Sequence, residues 1–134
     1  MGAWDADSFG NDAACDWAFG LDDVNDLSLV HETFEAVLNA DDFLDSDIAC
    51  GGLAACEVVA RLKGNWGVRN PYSEDVDKWV AAHPIKPPES LVKTALEVID
   101  RVLAPGSELR EIWEDANATE WLAAVDDLRK RVSR

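Results

Sequence analysis

Carboxylates dominate the groups that could do chemistry here, and they are unevenly placed. Residues 1 to 60 hold fourteen Asp and Glu and no Lys or Arg, whereas residues 61 to 134 hold thirteen acids against twelve bases. The formal charge is therefore −14 in the first part and −1 in the second, within a total of −15. Dense acids suggest calcium, but an EF-hand loop requires ligands at positions 1, 3 and 5, Gly at 6 and Glu at 12. Counting from Asp45, Asp47 fills position 3, but Ala49, Cys50 and Cys56 occupy positions 5, 6 and 12. An irregular divalent-cation site in the Asp41–Asp47 loop stays open beside the plainer reading of a solvated acidic loop. His31 and Glu35 share a helix face, yet two ligands are too few for a tight site and Glu35 breaks an HExxH pattern. His83, before Pro84, reads as a helix-end residue. No metal site and no cofactor are expected.

Nucleophilic catalysis finds little to work with. The chain has no GxSxG, Walker or GxGxxG motif. Cys15, Cys50 and Cys56 lack CxxC spacing and sit beside acids or in apolar sequence, where a thiol pKa rises and nucleophilicity falls. They read as reduced thiols of a cytoplasmic protein. Glu57 is the most unusual acid, lying inside Leu53-Ala54-Ala55-Cys56-Glu57-Val58-Val59-Ala60. A buried carboxylate needs a partner. Arg61, one helical turn on, is the expected one; the alternative is a general base or ligand in a pocket around Glu57. No catalytic residue is assigned, and a binding role is favoured over an enzymatic one.

The elements that must position these groups are helical. A chain of 134 residues, 48% hydrophobic, fits one domain. Apolar residues recur at spacings of 3, 4 and 7, and sustained period-2 alternation is missing. Asn11 caps a helix to about Leu21, with Asp12 in its first turn and Trp17 and Leu21 on its apolar face. Asp26 caps a second helix to about Ala40, striped by Leu27, Val30, Phe34, Val37 and Leu38. After the acidic loop a third helix spans about Ile48 to Leu62. Its adjacent Gly51 and Gly52 cost roughly 1 kcal/mol each relative to Ala, which close packing must offset. Ser73 caps a fourth helix ending near Ala82. Pro88 opens a fifth, striped by Val92, Ala95, Leu96, Ile99, Val102 and Leu103. Ser107 caps a short sixth helix bearing Leu109, Ile112 and Trp113. The last runs from about Thr119 to Val132 on a seam of Trp121, Val125, Leu128 and Val132. The fold class expected is all-α: an irregular single-domain bundle of six to seven helices over 11–132, with an extended N-terminal arm over 1–10 carrying Trp4 and Phe9. The loops 41–47 and 63–72 are the expected mobile segments. Trp66, in the second of these, either packs or serves as an exposed anchor.

The residues Met1-Gly2-Ala3-Trp4, Phe9, Asn11-Asp12, Ala14 and Asp16-Trp17 resemble the start of a bacterial family of unknown function, whose members begin MGAWG and continue FxNDxAxDW. Later stretches are similar too, among them Ala55-Cys56-Glu57-Val58-Val59-Ala60, Trp79-Val80-Ala81-Ala82-His83-Pro84 and Ser107-Glu108-Leu109-Arg110-Glu111-Ile112-Trp113. Asp5 stands where the family usually has Gly, which argues against a tight glycine turn in the arm. The resemblance carries no established activity. It implies one structural unit of Trp4, Asp12, Trp17 and Glu57, with the arm docked on the third helix; Phe9, Asn11, Asp16 and Arg61 are read as structural beside them.

Charge then directs the functional expectation. At −15, phosphate repels the chain, which argues against nucleic acid and anionic lipid, and no apolar run reaches membrane-spanning length. A basic protein partner is expected, met by Asp22, Asp23, Asp26, Asp41, Asp42, Asp45 and Asp47, with Phe43 and Leu44 as apolar anchors. One concrete form is an immunity- or antitoxin-like inhibitor that covers the basic cleft of a toxin.

Overall fold

A computed structural model of the chain describes residues 8–116 and 118–134. Trp4 and the first seven residues of the arm lie outside the described residues. The elements are α1 (Asp12–Leu21), α2 (Ser28–Leu38), α3 (Ser46–Leu62), α4 (Glu74–Ala82), α5 (Glu89–Leu103), α6 (Glu108–Asp115) and α7 (Ala118–Ser133). Among the described residues there is no strand, and the fold is all-α.

The centre is α3, which packs against each of the other six helices. Every residue from Ala49 to Arg61 is buried. A helix buried on all sides must be apolar on all sides or pair its charges internally. Small residues meet the first demand and the Glu57–Arg61 turn meets the second. Gly52 is where small size matters most: a Cβ there would lie 2.7 Å from Val37 Cγ2 and 3.2 Å from Val98 Cγ1. Gly51 is roomier, with its nearest would-be neighbour, Trp17 Cδ1, at 3.6 Å. The two glycines therefore predict opposite outcomes. Gly52→Ala overpacks two stiff valines and will destabilise by about 1–3 kcal/mol. Gly51→Ala will stabilise by about 0.5–1 kcal/mol through helix propensity. Urea denaturation of the two variants checks this; equal effects would refute the packing account.

Helix starts follow local capping where the sequence offers it. The Asn11 side chain accepts from the Ala14 amide at 2.7 Å, and Ser107 accepts from the Arg110 amide at 3.4 Å. Asp45 accepts from the amides of Asp47 and Ile48, so α3 begins two residues before the expected start. Two expected caps are corrected. Asp26 accepts from the Ser28 amide, but Leu27 holds the cap position of α2, which ends at Leu38. Ser73 holds the cap position of α4 as expected, but its hydroxyl makes no capping bond: it donates to Asp77 and accepts from the Asn70 amide. The buried arc of α5 is rotated by about one residue from the expected stripe, so Leu91 and Val98 are interior while Val92, Leu96 and Leu103 are half-buried. Leu38 and Ile112 are exposed.

Both loops expected to be mobile are tied down. The Leu44 amide donates to the Gly106 carbonyl at 2.7 Å, and the Glu108 amide donates to the Leu44 carbonyl at 2.9 Å. The Ser46 amide donates to Glu108 Oε1 at 2.8 Å. Gly106 has φ +84°, and a Cβ there would strike the Asp42 carbonyl at 2.5 Å. Leu44 is fully buried, so its expected role as a surface anchor is corrected; Phe43, pointing the other way along an extended stretch, is 52% exposed. In the 63–72 loop, Arg61 Nη2 donates to the Val68 carbonyl and Asn65 Nδ2 to the Arg131 carbonyl. Trp66 is half-buried between the guanidinium groups of Arg61 and Arg69, so it packs within the loop.

Candidate functional site

Glu57, the acid that looked most unusual in sequence, proves to be the hub of a buried ion network. Arg131 of α7 grips its carboxylate with two parallel bonds, Nη1 to Oε1 at 2.8 Å and Nη2 to Oε2 at 2.9 Å. Arg61 pairs with Oε1 from the next turn of α3, and the Ser8 hydroxyl donates to Oε2 at 3.0 Å. Each arginine then reaches a second carboxylate: Arg61 Nε to Asp77 at 2.7 Å, and Arg131 Nε to Asp127 at 2.7 Å. Planar guanidinium groups suit this because each presents a rigid fork of donors. Burial acts to lower the Arg131 pKa, but the bonds and charge of Glu57, then of Asp127, outweigh it and raise the value. Gly67 leaves the room: a Cβ there would lie 2.5 Å from the Arg131 guanidinium carbon. Arg61 also stacks over Phe9, 5.4 Å from the ring centroid. Ser8 and Phe9 thus dock the described end of the arm on α3. Both Glu57 oxygens are thus engaged by two arginines and a serine among the described residues.

The accessible chemistry lies elsewhere, in a groove between α1, α2 and α3. It encloses about 530 Å³. Its floor is Trp17, Ile48 and Gly51, flanked by Ala13 and Ala36; its rim is Asp16, Glu32 and Asp47. The Trp17 indole N–H donates to Thr33 Oγ1 at 2.7 Å, which fixes the ring in the floor. A second cleft of about 390 Å³ shares Ala13, Asp16 and Asp47 with it and adds Asp12 and Glu108. Five carboxylates thus border one continuous surface, and no base lines either part. An apolar floor under a ring of acids suits an aliphatic or aromatic group carrying a positive charge.

The sequence-derived acidic face is only partly assembled. Asp47 lies on the groove rim. Asp22, Asp23 and Asp26 are exposed in the turn after α1, which is held by Trp79 Nε1 donating to the Val24 carbonyl and by His83 against Asn25. Asp41 and Asp42 are exposed beside Phe43, and Asp45 caps α3. Of these acids Asp47 alone lines the groove. Asp16 and Trp17, expected to be structural, also line it, Trp17 while packed against the core, and Asp12 is exposed at its edge. In sequence Glu32 stands out only beside His31 and Glu35, and Arg131 only among the bases that crowd the end of the last helix; neither signals the role found here. Glu32 looks like any solvated helix acid, and Arg131 stands beside the seam residues Leu128 and Val132 with nothing local to mark its partner.

The family model "Domain of unknown function (DUF4259)" matches residues 2–124, most of the chain. The chain belongs to the DUF4259 family. No curated protein and no solved structure matches this DUF4259 domain. Its three cysteines are unpaired. Burial raises the pKa of each, that of Cys50 to about 12 with help from Asp47 and Asp45; Glu57 adds to the effect at Cys56, and Asp12, Asp16 and Asp75 at Cys15. Raised values disfavour the thiolate that a nucleophile needs. Among the described residues of the DUF4259 domain, no three His, Cys, Asp or Glu side chains converge to hold a metal ion, so the divalent-cation reading of the Asp41–Asp47 loop gains no support.

Proposed function

We propose that this DUF4259 domain is a protein-binding module that receives a basic segment of a partner in the groove between α1, α2 and α3. The observation that carries the reading is the groove itself: an apolar floor centred on Trp17, rimmed by Asp16, Glu32 and Asp47 and without a lysine or arginine in its wall. A lysine or arginine side chain would lay its aliphatic stem on the floor and its charge against the rim. The exposed acids outside the groove, Asp22, Asp23, Asp26, Asp41 and Asp42, add a long-range field that steers a basic partner and weakens with salt. An immunity- or antitoxin-like inhibitor seated on the basic cleft of a toxin is the form that best matches this surface. A bacterial, cytoplasmic setting belongs to the same reading, and three unpaired thiols fit a reducing compartment.

The test is a titration with a short peptide alternating Lys and Leu, followed by the indole N–H resonance of Trp17. We expect a saturable shift that weakens with salt and falls by about tenfold or more in the Asp16→Asn, Glu32→Gln, Asp47→Asn triple variant. The same variant should lose a native partner captured with the unaltered protein. Binding that ignores both salt and these substitutions would overturn the proposal.

A further inference from the structure

On another face the DUF4259 domain carries a groove of opposite character. It encloses about 620 Å³ between the end of α3, the α4–α5 connection and the first turns of α5. Leu62, Pro87, Val92 and Leu96 supply an aliphatic wall, and Lys63, Lys86 and Lys93 supply its charge. The chain has five lysines. Lys78 and Lys130 pair with carboxylates one turn away, at 2.8 and 3.1 Å. Lys63, Lys86 and Lys93 make no ion pair among the described residues, and Lys63 donates only to the Val132 carbonyl. In a chain with more than two acids per base, three such lysines meeting in one groove leave a local excess of positive charge. Glu89 on the same wall offsets one of them and leaves two.

We infer that this groove binds an aliphatic anion, a carboxylate head on a hydrocarbon chain. The size falls in the range of small-ligand sites, about 300–1,000 Å³. The wall is aliphatic with no aromatic ring to stack on, which argues against a nucleobase. Lysines provide mobile point charges that suit a carboxylate without demanding the planar fork of arginine. The hydrocarbon chain lies along Leu62, Val92 and Leu96, and the carboxylate sits between Lys86 and Lys93.

Decanoate below its micellar concentration is the probe, read by the methyl resonances of Leu62, Val92 and Leu96 in the whole protein. We expect saturable shifts, weakened about fivefold by Lys86→Gln and again by Lys93→Gln. Both lysines are exposed, so the variants should keep the helical circular dichroism of the parent. The Asp16, Glu32 and Asp47 substitutions should leave decanoate binding unchanged, which separates this site from the acidic groove. Absence of shifts, equal shifts with decyltrimethylammonium or inorganic phosphate, or indifference to both lysine variants would overturn the inference. So would binding to phosphatidylglycerol vesicles with no response to monomeric decanoate.

Discussion

Glu57→Gln will destabilise the protein by about 3–5 kcal/mol, because it leaves two buried arginines facing a neutral amide. The substitution keeps the shape of the side chain, so the loss is one of charge. Arg61 retains Asp77 and Arg131 retains Asp127, but the carboxylate that joins them is gone. For a domain of this size the melting temperature should fall by about 12–20 °C. Since small domains are stable by only about 5–15 kcal/mol, the variant will sit near the edge of folding. A double-mutant cycle with Arg131→Met distinguishes a coupled network from independent contacts. The double variant removes the stranded Arg131 charge along with the carboxylate, so it should be less destabilised than the sum of the singles by about 1–3 kcal/mol. Simple additivity, or a single-variant loss under about 1 kcal/mol, would show that Glu57 is solvated in solution.

The second large effect is expected at Leu44. Leu44→Ala removes a fully buried side chain and will cost about 2–5 kcal/mol, while Phe43→Ala, next door and half exposed, will change stability by no more than about 0.5 kcal/mol. Hydrogen exchange offers a second reading of the same feature: the amides of Leu44 and Glu108 should be protected well beyond those of Asp41 and Phe43. Equal sensitivity at positions 43 and 44 would mean that the acidic segment is loose.

These two positions also mark what could and could not be read before the structure. Local signals were legible. Asn11 and Ser107 cap the helices their positions announced, and the helical spacing of apolar residues located all seven helices. The demand of Glu57 for a cation was legible as well, because a carboxylate among seven apolar neighbours has few alternatives, and Arg61 lay within one turn. Arg131 was not, since it is 74 residues away and its own helix gives it the look of a solvated base. Leu44 was misread because five acidic and polar neighbours made the whole stretch look wet; one apolar side chain on the inward face of an extended segment leaves no periodic trace. The acidic groove was only half legible for a related reason. The charge asymmetry announced that an acid-rich surface exists, but its rim draws one residue from each of three helices, and no local spacing brings Asp16, Glu32 and Asp47 together.

The geometry of Glu57 also bears on the order in which the molecule can be made. Its ligands come from Ser8, from the neighbouring turn and from Arg131, so the two most separated parts of the described chain close on the same two oxygen atoms. A nascent chain that has emerged only as far as α6 carries the central helix with its carboxylate gripped by Arg61 but still missing the bidentate clamp. Burying α3 at that stage would strand charge in the interior, so the partial chain should hold it open to water. Synthesis of α7 then becomes the event that permits closure, and the domain should acquire protease resistance in one step near the completion of that helix rather than helix by helix along the way.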